Sequence, residues 1–233
     1  MRKAQLDKSN AGSRPPSEVV AHYLEAIYYM WSEGETLRSA RLADWLGVSR
    51  PTVTVAVRRM AGYGMVRMNK RKEIELTAAG RRAAEAIVRR HRIMERWLTD
   101  GLGLDWVTAD DEAARLEHAV SEVVERRLYE VLGRPTTCPH GNPIPGYSRA
   151  VPREVRLASL EAGMRASVSR VSEVAEREAP TLLTYLHERG LTPGRDIAVL
   201  EVDGVARIIR VRAGKRSVTL SHDTAAKLWV VPE

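Results

Sequence analysis

Three stretches of the chain each set a histidine beside a carboxylate. His22 and Glu25 are three residues apart, His91 and Glu95 four apart, and Glu117 and His118 adjacent, with Asp110 shortly upstream. On a helix, residues at i,i+3 and i,i+4 share a face, so each of the first two pairs can aim an imidazole and a carboxylate at one point. Adjacent residues diverge by about 100° and would serve one site from two sides, or two neighbouring sites. Imidazole nitrogen with carboxylate oxygen is the usual donor combination for divalent first-row metals. Each group also has a plainer use. A lone histidine can be a surface or satisfied core residue, Asp110 can complement a helix dipole, and Glu95 can pair with Arg92 or Arg89.

The elements that would carry these residues read as helices. Ser17 can cap a helix running to about residue 32, with Val20, Leu24, Ile27, Tyr28 and Trp31 at helical spacing. Thr77 can cap a long helix over 78–100, closed by Gly101 and Gly103. Thr108-Ala-Asp-Asp111 reads as an acidic capping box opening a helix that continues to residue 132. Between the first two lies a differently built stretch. A short helix over 39–46 meets a turn at Gly47, Ser49 can cap a second helix with Pro51 in its first turn, and that helix runs to about residue 63 before Gly64. Strands over 65–68 and 73–76 follow, joined by Asn69-Lys-Arg-Lys72. Helix, turn, helix and basic hairpin make a winged helix-turn-helix. Residues 45–72 contain no Asp or Glu and seven basic residues, as suits a polyanion. The second helix would enter the major groove and the hairpin would touch phosphates.

The length of 233 residues allows one large or two small domains. Lys plus Arg is 37 against 30 Asp plus Glu, a net charge of +7, which favours an anionic partner. The single cysteine, Cys138, rules out an internal disulfide framework and a multi-cysteine zinc site within one chain, and reads as a loop thiol. The first residues lack the apolar core of a signal peptide, and no apolar run is long enough to span a membrane. A cytoplasmic protein is expected. Residues 1–16 read as a mobile arm and the Pro/Gly-dense 138–146 as a loop. Beyond a linker the pattern changes to short alternating stretches over 165–171, 196–202, 205–211 and 217–220. Turn signals stand at Asp203-Gly204 and Ala213-Gly214, and one helix is expected over 179–189. The expected fold is a mainly α winged helix-turn-helix followed by further helices and a small all-β, barrel-like module; the family resemblance of the motifs below implies that those helices form a helical dimerisation domain and the module an SH3-like barrel. The expected boundaries are 1–76, 77–146, linker 147–155, and 156–233.

Several stretches together resemble the diphtheria toxin repressor family of iron- and manganese-dependent bacterial repressors. They are Tyr23-Leu-Glu-Ala-Ile-Tyr28, Ser49-Arg-Pro-Thr-Val53, Arg89-Arg-His-Arg-Ile-Met-Glu95, Leu116-Glu-His-Ala-Val-Ser121 and Gly141-Asn-Pro-Ile-Pro-Gly146. The tail more loosely resembles the SH3-like (FeoA-like) module that many members append. The resemblance implies a homodimer that binds a palindromic double-stranded DNA operator when a divalent metal ties the first helix to the dimerisation helices. Carried over by position, His91, Glu95, Glu117 and His118 match ligand positions. His22 stands where iron-type members carry Met and manganese-type members Asp. Glu25 matches a carboxylate of the manganese type, and Asp110 stands at a second-site His of the iron type. Ala114 departs: it occupies a position that is Cys or Glu in the two branches and has no donor in its side chain. The remaining set is nitrogen and oxygen only, which suits Mn²⁺ or Fe²⁺, with Zn²⁺ or Co²⁺ binding in vitro. The tail offers Glu173, Glu176, Glu178 and His187 as further candidates. Ser49, Pro51 and Thr52 match DNA-contacting positions. Ser39, Arg50, Val55, Arg58, Arg59, Lys70, Arg71 and Lys72 complete the expected DNA-facing set, with Val55 implying apolar readout.

The expectation is thus a metal-dependent repressor of metal-homeostasis genes, and not an enzyme. Two alternatives stand beside it: a winged-helix regulator that has lost its metal response at Ala114, and a metallohydrolase using the same cluster. No nucleophile motif of the Gly-x-Ser-x-Gly kind supports the second.

Overall fold

The computed structural model describes residues 17–148, 153–179 and 181–233. The expected arm over 1–16 and residues 149–152 of the expected linker lie outside the described residues. Helix α1 (Glu18–Ser32) opens the fold, with Ser17 at its N-cap position but making no side-chain cap bond among the described residues. Helices α2 (Ser39–Leu46) and α3 (Arg50–Gly62) follow. Gly47 turns between them at φ +65°, and the Ser49 hydroxyl accepts from the Thr52 amide at 3.2 Å. The wing pairs β1 (Val66–Met68) antiparallel with β2 (Ile74–Leu76), Val66 opposite Leu76. Leu24, Ile27, Met30, Leu42, Val53, Met60, Val66 and Ile74 close one core that holds α1 against the reading head and α4.

Thr77 caps α4 (Ala78–Arg96), accepting from the Gly80 amide. The last expected turn is wider: Trp97–Gly101 forms a π-helical segment. The helix expected to start after Thr108 begins earlier and breaks in two. Asp105 is the cap of α5 (Trp106–Leu116), accepting from the amides of Val107 and Thr108, and the Thr108 hydroxyl donates to Asp105. Ser121 then caps a separate α6 (Glu122–Val131). Glu117 ends α5 at still-helical angles, and the Ser121 hydroxyl opens the next helix by accepting from the Val124 amide, which suits Ser better than an interior helical position. Met94, Leu98, Ala109 and Ala113 pack α4 on α5.

The C-terminal part contains β3 (Val155–Arg156), β4 (Arg165–Val171), α7 (Glu173–Glu178), α8 (Thr181–Glu188), β5 (Asp196–Asp203), β6 (Ile208–Ala213), β7 (Arg216–Ser221), α9 (His222–Ala225) and β8 (Leu228–Pro232). The strands form one antiparallel sheet in the order β3-β8-β4-β5-β6-β7, and β3 does not pair with β7 among the described residues. Residues 205–207, expected as strand, form the β5–β6 turn, with Arg207 at φ +54°. The expected helix over 179–189 is shorter and preceded by α7. Apolar side chains cross between the parts: Trp106 of α5 enters the β-module core, and Val174 of α7 enters the core around α1. Burying each stabilises the joint by roughly 1.5–3 kcal/mol.

Candidate metal centre and nucleic-acid interface

The three histidine–carboxylate pairs converge. α1, α4, α5 and the start of α7 enclose a cavity of about 90 Å³ lined by His22, Glu25, Tyr29, Trp45, His91, Glu95, Asp110, Ala114, Glu117, His118 and Glu173. That is room for an ion with some of its waters. His91 is central: its Nδ1 lies 2.9 Å from Glu117 Oε2, and its Nε2 lies 3.1 Å from Asp110 Oδ1 and 3.9 Å from Glu95 Oε1. His118 Nε2 lies 3.5 Å from the other Glu117 oxygen, and His22 Nδ1 3.8 Å from Glu25 Oε2. The break after α5 lets adjacent Glu117 and His118 reach the same cavity. Two triads, Glu25–His91–Glu117 and His91–Glu95–Asp110, offer ligand atoms within 4.8 Å of one another.

The charge balance is acidic. Glu25, Glu95, Glu117 and Glu173 are buried, with Asp110 at the rim. Burial pushes Glu25 up to about 7, and the neighbouring Glu117 carboxylate adds to the rise; the Tyr29 hydroxyl donates to it at 2.8 Å. Burial alone would lower His91, but hydrogen bonds to Asp110 and Glu117 and the field of Glu95 outweigh it and hold the imidazole well above its usual range. Burial likewise raises Glu173, against the pull of Arg92. Arg92 is paired with one Glu173 oxygen and with the Pro143 carbonyl. The other Glu173 oxygen is buried with no hydrogen-bond partner among the described residues. Clustered carboxylates, an orphaned buried oxygen and room for an ion fit a divalent cation.

A second cluster was not expected. Cys138 lies in the loop as read, but it is buried and stands with His140 and Glu95 in a triad of ligand atoms within 4.8 Å; His140 Nδ1 is 3.1 Å from Glu95 Oε1. Glu95 therefore borders both clusters. The Cys-x-His spacing was the available sequence signal. Of the tail candidates, Glu173 reaches the cavity, whereas His187 packs edge-on against Trp106 at 4.7 Å; the side chains of Glu176 and Glu178 lie outside the described residues. Ala114 lines the cavity with a methyl group.

On the reading head, Ser49, Arg50, Pro51, Thr52, Val55, Arg58 and Arg59 are exposed on α3 and its cap, and Lys70, Arg71 and Lys72 on the wing tip. Ser39 is half-buried at the start of α2. Val55, an aliphatic side chain 65% exposed, leaves an apolar contact surface in the middle of α3. The wing is stiffened at its base, where Arg67 pairs with Glu75 at 2.7 Å, and at its tip, where Asn69 accepts from the amides of Arg71 and Glu73.

The fold is that of a winged-helix protein, and the cavity gathers the nitrogen and oxygen donors that a divalent cation takes. Three family descriptions match in sequence: the N-terminal DNA-binding domain of iron-dependent repressors over residues 17–74, their metal-binding and dimerisation domain over 77–146, and the FeoA domain over 155–232. The iron-dependent repressor IdeR of Mycobacterium leprae is 40% identical over 214 residues, covering 87% of this chain and 92% of that protein. The diphtheria toxin repressor of Corynebacterium diphtheriae is 35% identical over 210 residues, covering 86% and 87%. Among solved structures, a manganese-dependent transcriptional repressor in complex with manganese superposes with a TM-score of 0.82 at 33% identity, covering 92% of this chain and all of that one. IdeR of T. acidophilum superposes at 0.76 with 30% identity, covering 91% and 97%. The chain belongs to the iron-dependent (diphtheria toxin) repressor family. No helix among the described residues is long and apolar enough to cross a membrane.

Proposed function

We infer that this protein is a cytoplasmic, non-enzymatic repressor of metal-homeostasis genes that binds a palindromic operator as a homodimer, with Mn²⁺ or Fe²⁺ as co-repressor. The observation that carries the reading is the convergence of buried carboxylates on His91 from α1, α4 and α5. His22, Glu25, His91, Glu95, Asp110, Glu117 and His118 would hold the ion, with Glu173 joining from the tail. Cys138 and His140 would form, with Glu95, an adjacent and softer site. A bound cation supplies the positive charge that the cluster lacks.

The rest follows from the chain's own packing. α1 carries His22 and Glu25 on one side and packs through Val20 and Tyr23 beside Pro51, Thr52 and Met60 of α3 on the other. Fixing α1 against α4 and α5 therefore fixes the reading helix. Metal selects a conformer only if it binds that conformer more tightly. Ser49 and Thr52 would donate to phosphates, Pro51 and Val55 would contact thymine methyls, and Ser39, Arg50, Arg58, Arg59 and the wing cations would hold the backbone. The exposed apolar residues Leu116, Val123, Val124 and Val131 on α5 and α6 suit a subunit interface. We assign the reading head to 1–76, the metal and dimerisation part to 77–146, a linker to 147–155 and the FeoA-like module to 156–233.

One feature favours a second reading, a regulator without metal response: Ala114 contributes no donor. The experiment that separates the two pairs His91→Ala with the double substitution Glu117→Ala/His118→Ala in operator footprinting with and without Mn²⁺. Loss of metal-dependent protection with folding retained supports the co-repressor reading. Unchanged, metal-responsive protection would refute the site.

A further inference from the structure

Eight residues beyond Glu25, roughly 12 Å along the helix axis, Glu33 caps the C-terminus of α1. Its side chain is only 2% exposed, and it meets three donors, all from the FeoA-like module: Arg170 Nη1 at 2.6 Å, Arg156 Nη2 at 2.5 Å and Trp229 Nε1 at 2.9 Å. Both guanidinium groups lie over the Trp229 ring, with their central carbons 3.7 Å (Arg156) and 4.5 Å (Arg170) from its centroid. Arg170 also reaches Glu154 at 3.0 Å. Burial alone would raise Glu33, but the two arginines outweigh it and hold the carboxyl below its usual range. The node buries the Glu33 and Arg170 side chains and half-buries Arg156, an arrangement whose desolvation cost largely cancels its attraction. Its value lies in fixing one orientation, since a saturated three-donor site tolerates little displacement.

The segment that carries Arg170 of the latch runs directly into the cavity. Arg170 lies near the end of β4, and three residues later Glu173 lines the cavity with its unpartnered oxygen. The intervening Val171 is bound from both sides by the metal-type loop: its amide donates to the His140 carbonyl at 3.0 Å, and its carbonyl accepts from Asn142 Nδ2 at 3.0 Å. Between latch and cavity there is little slack.

We propose that Glu33 is a positioning residue for the metal centre: by clasping Arg156, Arg170 and Trp229 it seats the FeoA-like module on α1 so that Glu173 completes a site whose other side is built from Glu25 and His91. The same helix thereby carries ligands in its middle and the module's anchor at its end. This rests on reading the cavity as a divalent-metal site.

The test is Mn²⁺ binding to the full chain by calorimetry, with the spectrum of bound Mn²⁺ recorded by electron paramagnetic resonance. It compares wild type, Glu33→Ala, Glu173→Ala and the double variant. Trp229→Phe, which deletes one donor and keeps the ring, stands in as the milder latch variant should Glu33→Ala not fold. Glu33→Ala is expected to weaken Mn²⁺ about tenfold, within the range for residues that orient ligands. In the Glu173→Ala background it should cost less than about threefold more, because the group it positions is gone. Trp229→Phe should show the same non-additivity on a smaller scale. Wild-type affinity in Glu33→Ala would overturn the proposal. So would an equal penalty with and without Glu173, which would make Glu33 a general stabiliser. If wild type itself took up no Mn²⁺, the metal reading would fail and this proposal with it.

Discussion

Replacing Glu25 by Gln should strengthen the metal-free protein while disabling it. Glu25 is buried, accepts the Tyr29 hydroxyl, and is raised from 4.5 to about 7 by burial and by Glu117. A carboxyl raised on folding contributes stability that is fully present below its unfolded value and is lost as pH rises through its folded value. For Glu25 the loss therefore spans about pH 4.5 to 7 and is complete near pH 8. At about 1.4 kcal/mol per pH unit the difference is roughly 3 kcal/mol. Gln keeps the acceptor for Tyr29 and cannot ionise. In chelator at pH 8, Glu25→Gln should melt about 6–12 °C above wild type, and the gap should close towards pH 5. With Mn²⁺ at about a thousand times its dissociation constant the order should reverse, since such a ligand adds about 4.1 kcal/mol to the form that binds it, more than the roughly 3 kcal/mol at stake. Thermal unfolding followed by circular dichroism, both proteins over pH 5–8.5 with and without Mn²⁺, reads this directly. A variant that melts lower than wild type in chelator at pH 8, or a gap that does not vary with pH, would refute the argument that the cavity holds uncompensated negative charge.

Further outcomes follow from other parts of the molecule. Changing Lys70, Arg71 and Lys72 to Ala should lower the salt dependence of operator binding by up to about three in the logarithmic slope, with sequence preference retained, as measured by titrations at several salt concentrations. Gly141→Ala should loosen the FeoA-like module, because Gly141 sits at φ +90° and an added Cβ would fall 2.1 Å from the Ser169 carbonyl oxygen. The backbone strain alone costs about 1–3 kcal/mol, and limited proteolysis should then cut between the parts. Cobalt-loaded protein should show a thiolate-to-metal absorption that Cys138→Ser removes; an unchanged spectrum would exclude the Cys138–His140–Glu95 cluster from ligation.

Much of the fold is legible in the sequence alone, and the gaps have physical causes. Ser49, Pro51, Gly47 and the alternation of basic and apolar residues define the reading head locally, because caps and turns are short-range devices. His22, Glu25, His91 and Glu95 announce their faces by spacing. What spacing cannot carry is which faces meet: Glu95 with His140, or Glu173 with Arg92, are tertiary contacts across tens of residues. The α5 start was misread because Asp105 and Thr108 both look like caps and only the backbone decides between them. β8, an apolar run beside a proline, and the two-residue β3 carry too little alternation to register as strands. Glu33, one acid among many, has no sequence signature until Arg156, Arg170 and Trp229 gather around it.

On the proposed function, DNA binding requires metal through the His91 cavity. Fluorescence anisotropy of the purified protein on duplex from its own upstream region, at fixed salt, tests it most directly. The titrations run in chelator and then with Mn²⁺, anaerobic Fe²⁺, Co²⁺ and Zn²⁺ at matched free concentrations. The account predicts tight binding only with metal, abolished by Glu117→Ala/His118→Ala. Equal affinity in chelator and in every metal would contradict it and assign the carboxylate cluster a role other than co-repressor binding.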